Sequence, residues 1–298
     1  MEGMKYLLLA LLLGGLSVWA SENFFWIMPP PGITPLDFVF TVIAYSIAVA
    51  VALSMVIWTG VGGVKAAFLG GAVLGYMSEG VIVGTIYQME PPVFYLVWTP
   101  LAWHALITGA VVLGLGRVGL SAGRRVLLWG ALGLAGAFWA QYWPSERGGV
   151  PDTGLFALYL LGLGLLVPLA QVGMDRMGRM PSPSGWVLWV APVLAALVWV
   201  AQGAGDMNPY RVVLILIMAG LLWVMRRLGQ AGPVSFGPGA PVWHHLLFLI
   251  APLIVVVLAP VGWAAGWGTL GANWVVAVVS CLVALGWLGR LGWRAMRG

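Results

Sequence analysis

The sequence predicts an all-α protein, a polytopic transmembrane helical bundle of about ten spans with its C-terminus on the cytoplasmic side. Three observations carry that prediction. Only 8% of the residues are charged while 61% are hydrophobic, against roughly 25% charged in soluble domains. Apolar runs of spanning length recur from end to end, separated by Pro- and Gly-rich punctuation. The basic residues between those runs alternate from one side to the other.

The first run, Tyr6–Ala20, is short. It follows the charged start Met1 to Lys5 and ends at Val18, Trp19 and Ala20, which fits a small-x-small cleavage site before Ser21. Residues 1–20 therefore read as a secretory signal peptide, which leaves nine spans, or as a retained first helix extended through Phe24 to Met28. Residues 21–298 read as a single transmembrane helical domain. The further runs are Thr34–Trp58, Val64–Gln88, Pro92–Leu115, Arg124–Trp143 and Thr153–Gly173, then Gly185–Gln202, Tyr210–Met225, Trp243–Ala265 and Leu270–Leu291. Loops fall at Pro29 to Gly32, Glu90 to Pro92, Gly148 to Pro151 and Pro181 to Ser184, and the longest lies between Arg227 and Val242.

With Met1 inside, every Lys and Arg except Arg147 and Arg211 falls in an inner segment, accompanied by Glu2 and Asp175. Glu22, Asp37, Glu90, Glu146, Asp152 and Asp206 fall outside. A wrong helix count would scramble this alternation, so the positive-inside rule places the chain as a multi-pass protein of the cell membrane, plasma or inner. Trp26, Trp58, Trp143, Trp186, Trp243, Trp263 and Trp267 sit near span ends and read as interfacial anchors, whereas Trp103, Trp199 and Trp223 lie deeper and read as packing. No internal repeat is visible, so sequence symmetry gives no support to an inverted-repeat transporter.

Several functions are excluded or lack a signature. The net charge of +5 and pI of 9.7 come from scattered basic residues, which orientation in the bilayer explains without nucleic acid. Cys281 is the lone cysteine, so no internal disulfide and no Cys-based metal cluster can form. No HExxH, Walker loop or dinucleotide fingerprint is present. A pigment, quinone or lipid held by packing alone would leave no motif. Membrane lipids are the expected partners, and the 43 glycines and many tryptophans also suit association with other membrane chains.

Glu79 is the outstanding residue, the one carboxylate well inside a span. A charge at helix centre costs about 2.5–3.5 kcal/mol on insertion scales, so such groups face the bundle interior and mark function. Gly71, Gly75 and Glu79 recur at spacing four on one face, and Gly80 and Gly84 form a second small pair that permits close helix approach. The alternative is a neutral Glu79 that hydrogen-bonds across helices and only holds them together. His104 is its expected partner: counted from the short turn at Met89 to Pro91, the two differ in depth by about one helical turn. Pro100 lies one turn before His104 and frees the carbonyl of Leu96, an environment suited to a cavity. A neutral His104 bonded to a backbone carbonyl is the bland alternative. Tyr45 and Tyr87 complete the candidate proton or solute path; Gln88, Thr41 and Asp37 share the same outer half, Asp37 near its outer end where solvation alone accounts for it. His244 and His245 resemble a metal pair, but adjacent helical residues point about 100° apart; they read as interfacial, touching phospholipid headgroups. Gln141, Tyr142, Gln202, Asn273 and the turn from Asp206 to Pro209 all lie toward the outer face.

The order Glu79, Tyr87, Pro92 and then Pro100 to Trp103 resembles that of membrane carotenoid hydratases. The Gly/Pro-Phe-Gly segment those enzymes carry between acid and tyrosine is absent, and their function is not carried over. Three readings stand: a polytopic membrane subunit or small carrier with a proton or solute site at Glu79 and His104; a membrane-embedded lipid- or isoprenoid-modifying enzyme with Glu79 as general acid; and a scaffold subunit of a larger membrane complex.

Overall fold

The computed structural model describes residues 1–26, 34–87, 92–205, 208–230, 234 and 237–298. The expectations placed on Gln88, Glu90, Asp206, the loop at 29–32 and the turn at 89–91 fall outside those residues, as do the side chains of Trp26 and Arg147.

The architecture is all-α. Helix α1 spans Glu2–Val18 and continues through Trp19–Asn23 to Trp26; α2 is Pro35–Thr59; α3 is Gly63–Met77 followed by Ser78–Ile82. Helix α4 joins Pro92–Val97 to Trp98–Leu115, and α5 is Ala122–Trp139 with a short continuation to Arg147. Helix α6 covers Thr153–Met177, α7 Gly185–Gly203, α8 Tyr210–Leu228, α9 Val242–Ala264 and α10 Ala272–Arg297. Each matches one apolar run of the sequence to within a few residues at its ends. Among the described residues, seven of these stretches are long and apolar enough to cross a membrane. The chain is thus a polytopic, membrane-spanning helical bundle.

Local chemistry sets several boundaries. Thr34 caps α2 by accepting from the Asp37 amide while the Asp37 carboxylate accepts from the Thr34 amide at 2.8 Å, and Pro35 occupies the first helical position. Gly60, at φ 69°, ends it. Helix α3 stops earlier than its apolar run: the backbone turns at Gly84 (φ 78°) and a short turn, Thr85–Tyr87, folds back. Glu79 therefore stands in the last stretch of α3 and not at mid-helix, and Gly84 serves as a turn residue, not as half of a packing pair.

The centre of the bundle is α1 to α4. Their closest packing is α3 against α4, followed by α1 against α2. A Cβ at Gly71 would lie 2.5 Å from the His104 carbonyl oxygen, and one at Gly75 would lie 2.5 Å from that of Pro100, so glycine is required at both. Helix α1 is wired into this core. The Tyr6 hydroxyl donates to the Ala50 carbonyl (2.7 Å) and the Trp19 indole to the Leu160 carbonyl (3.1 Å). At the periphery, 11% of the α7 span is buried against 67% of α4, and Trp186, Trp189 and Leu197 point outward, as lipid contact demands. Two tryptophans depart from expectation. Trp143 is fully buried, its indole donating to the Phe25 carbonyl (2.9 Å), so it packs and does not anchor. Trp223 faces outward on α8.

Gly71→Leu should destabilise the bundle by about 3 kcal/mol or more, because neither facing backbone can withdraw. Gly220→Leu, where an added Cβ meets nothing within 4 Å, should leave melting in detergent nearly unchanged. Equal melting temperatures for the two variants would contradict this packing.

Candidate functional site

Three of the four central helices lose regular α geometry at depth. Trp19–Asn23 of α1, Ser78–Ile82 of α3 and Trp98–Leu115 of α4 all wind with the wider π spacing. Such segments are rare and concentrate at functional sites, because they re-aim side chains relative to a regular helix. Each carries one titratable group: Glu22, Glu79 and His104. Near the start of the α4 segment stands Pro100, which has no amide to donate. The Leu96 carbonyl it leaves free accepts from the Tyr76 hydroxyl at 2.8 Å, the kind of compensation the sequence calls for.

The groups converge. His104 Nε2 lies 3.4 Å from Glu79 Oε1, and both side chains are buried. The other Glu79 oxygen accepts from the Thr85 hydroxyl, which the turn after Gly84 brings back over the helix end. The Tyr45 hydroxyl donates to Glu22 Oε1, its ring centroid is 5.9 Å from that of His104, and both carboxylates act on it electrostatically. Two carboxyl groups, a phenol and an imidazole thus form one cluster, buried at Tyr45, Glu79 and His104 and half-buried at Glu22. Asn23 Oδ1, Ser78 Oγ, His104 Nδ1 and Thr108 Oγ1, all in these same three segments, have no partner among the described residues. Buried polar atoms are nearly always paired, and four of the eight exceptions among the described residues lie in these segments.

The remaining sequence candidates go elsewhere. The Tyr87 hydroxyl accepts from the Trp199 indole at 3.2 Å and its ring lies beneath the Arg211 guanidinium, so it ties α7 and α8 to the turn after α3. Asp37 caps α2, and the Thr41 hydroxyl donates to the Asp37 carbonyl. Gln141 donates to the Ala137 carbonyl within its own helix.

A second ionisable cluster lies toward the other ends of these helices. Arg117, just past α4, donates to Asp175 Oδ1 at 2.5 Å and to Gln171 Oε1 at 3.0 Å. His245 Nε2 lies 2.7 Å from Asp175 Oδ2, and the Ala240 amide donates to the same oxygen. His245 is therefore a buried partner of a carboxylate and not a headgroup contact; His244 packs edge-on against Trp243. Arg125, also buried, gathers the carbonyls of Gly116, Val118 and Leu120 at the C-terminal end of α4, where a cation meets the negative end of the helix dipole.

Between the clusters runs an apolar cavity of about 330 Å³. Its lining ends at Ser17, Val49, Leu74 and Thr108 on α1, α2, α3 and α4. One turn further along the same helices stand Glu22, Tyr45, Glu79 and His104. The exposed part of the lining is at the opposite end, at Gly63, Val118, Gly119, Gly237 and Pro238, beside Arg117.

Sequence reasoning did not assign Glu22 or the Arg117 cluster to a site. Glu22 sits in a polar trio, Ser21 to Asn23, flanked on both sides by apolar residues; continuing the first helix through Phe24 and Phe25 would have put it inside a span. Arg117 and Asp175 are far apart in sequence and carry no local signal. Comparison of the chain with protein-family models, characterised proteins and solved structures finds no match.

Asp175→Ala strands a buried guanidinium and a buried imidazole, which should cost about 3–5 kcal/mol. Arg117→Gln combined with Asp175→Asn removes both charges together and should cost clearly less. A thermal melt in detergent ranks the two, and the reverse order would refute the pairing.

Proposed function

We propose that the protein is a membrane-embedded enzyme that transfers protons to or from a long apolar lipid or isoprenoid substrate. Glu79 is its general acid, His104 the relay beside it, and Tyr45 with Glu22 the second proton-holding pair. One observation carries the reading: four helices each hold an acid–base group one turn beyond the closed end of a single apolar cavity. The cavity suits an apolar chain, and the cluster supplies more acid–base groups than the lone acid and histidine visible in the sequence. Glu79 holds contacts to His104 and Thr85 through separate oxygens, so it can donate a proton to substrate and be resupplied through the imidazole without moving its backbone.

The same proposal includes ten spans, a retained first helix and a cytoplasmic C-terminus in the plasma or inner membrane. Segments assigned to one side meet one another, which supports it. On the inner side Glu2 accepts from the Ser182 amide, Gly60 from the Gln230 amide, and Ala295 from Arg227. On the outer side Phe25 accepts from Trp139, Tyr87 from Asn208 and Ala140 from Trp263. The burial of Tyr6, Leu9, Leu16 and Trp19 against α2 and α6 supports retention of α1, because its loss would uncover the faces they pack against.

A second reading, a small carrier or membrane subunit with a proton path, draws on the ionisable clusters at both ends of the cavity. Incubating purified protein in detergent with lipid extract separates the two. Product formed without a sealed compartment supports the enzyme, whereas proton movement confined to sealed vesicles supports the carrier. Glu79→Gln should preserve melting and lower turnover by about 10²–10⁴-fold, the usual worth of a positioned general acid. Full activity in Glu79→Leu would refute both the acid-catalyst and the proton-path roles of Glu79.

A further inference from the structure

The inner end of the cavity has a chemistry of its own. Apolar side chains and glycines line most of its length, while Arg117, which is 8% exposed, lines its open end. Arg125 lies close enough to Arg117 and Asp175 to interact with both. Among the described residues, Arg117 and Arg125 against Asp175 give this end a formal net charge of +1. Two further cations flank the lining in sequence, Lys65 beside Val64 and Arg179 beside Met180. From Thr108 to Arg117 the cavity follows nine residues of α4, ~13 Å at a helical rise of 1.5 Å per residue. Its volume of about 330 Å³ falls within the range of small-ligand sites, which are mainly apolar with a few placed polar groups.

We infer that this cavity binds an amphiphile with one long apolar chain and an anionic head, carboxylate or phosphate. The head sits at Arg117 on the inner side and the chain runs outward, so that its tail end lies beneath Glu79 and His104. The tail as the reacting end rests on the proton-transfer reading above; the binding itself does not. Charge decides the orientation. The inner end offers guanidinium groups in a partly dry setting, where basic pockets between helices recognise lipid heads, and the closed end offers only the hydroxyls of Ser17 and Thr108 among its lining.

The test is binding to the whole protein in phosphatidylcholine nanodiscs. The probes are radiolabelled hexadecanoate and farnesyl phosphate, each beside its neutral alcohol, hexadecanol and farnesol. Wild type should hold at least one anion about tenfold or more tightly than its alcohol, as expected for a charge-assisted contact. A margin shown by one anion alone supports the proposal and names the head. The Arg117→Gln/Asp175→Asn variant should lose that margin while keeping the affinity for the alcohols. Gly70→Val should weaken all four, since a Cβ there meets Val56 and Ala52 at 3.6 and 4.0 Å, so the branched side chain fits the backbone and fills the cavity. Equal binding of anion and alcohol by wild type, a margin that survives the double variant, or a Gly70→Val protein that binds normally would each overturn the inference. Loss of binding specificity alongside an inactive Glu79→Gln would remove this inference and leave the proton-transfer site. Intact binding with a fully active Glu79→Leu would do the reverse.

Discussion

The approach of α3 to α4 is the constraint on which the rest of the structure depends. Where Gly71 and Gly75 face His104 and Pro100, the two backbones touch without side chains between them. Such closeness is available only to glycine, and within a bilayer it supplies dispersion contact that hydrophobic burial cannot, because lipid is as apolar as the helix surface. Its consequence is chemical as well as mechanical. Glu79, one turn beyond Gly75 on the same face, arrives beside His104 with no freedom to point elsewhere. A wider helix pair would leave both groups stranded in a medium that offers neither a partner.

That constraint explains how much of the site was legible. Spacing four from Gly71 through Gly75 to Glu79 is a statement about one helix face, and Pro100 before His104 is a statement about one freed carbonyl. Both are local, and both reappear as the Gly75 contact and the Tyr76–Leu96 hydrogen bond. The ten apolar runs were legible for the same reason: hydropathy is read within a span. Which helices meet was not. Glu22 joins the cluster because α1 packs along α2, bringing it to Tyr45 across a gap of 23 positions in the chain. Asp175 meets His245 across 70. No residue pattern within a single span encodes either encounter. Loop charges counted for orientation also concealed a buried cluster, since Arg117, Arg125 and Asp175 look like ordinary flanking charges until the fold buries the two arginines and joins Arg117 to Asp175.

The contrast between the centre and the rim follows from the solvent. Helix α10 runs as one regular α-helix from Ala272 to Arg297 with most of its span exposed. Exposed to lipid, a backbone must satisfy every amide and carbonyl within its own helix. The three π-wound segments lie instead in the interior, where Tyr76 can reach the Leu96 carbonyl and Trp139 and Trp143 can both reach that of Phe25. Irregular backbone is therefore permitted where neighbouring helices supply donors, and it is there that Glu22, Glu79 and His104 are found.

The two ionisable clusters lie at opposite ends of one cavity. A buried charge is tolerable only with a partner, and each cluster provides its own: carboxylate with imidazole and hydroxyl at one end, guanidinium with carboxylate at the other. The apolar cavity between them keeps the two sets of charges apart, so each is compensated within its own cluster. The amphiphile proposed above matches that lining, apolar along its length and polar where it meets Arg117. A symmetric apolar filler would satisfy the walls but leave the arginine end facing hydrocarbon. For the amphiphile proposed above, a polar mouth and an apolar length set one direction, with the tail toward Glu79.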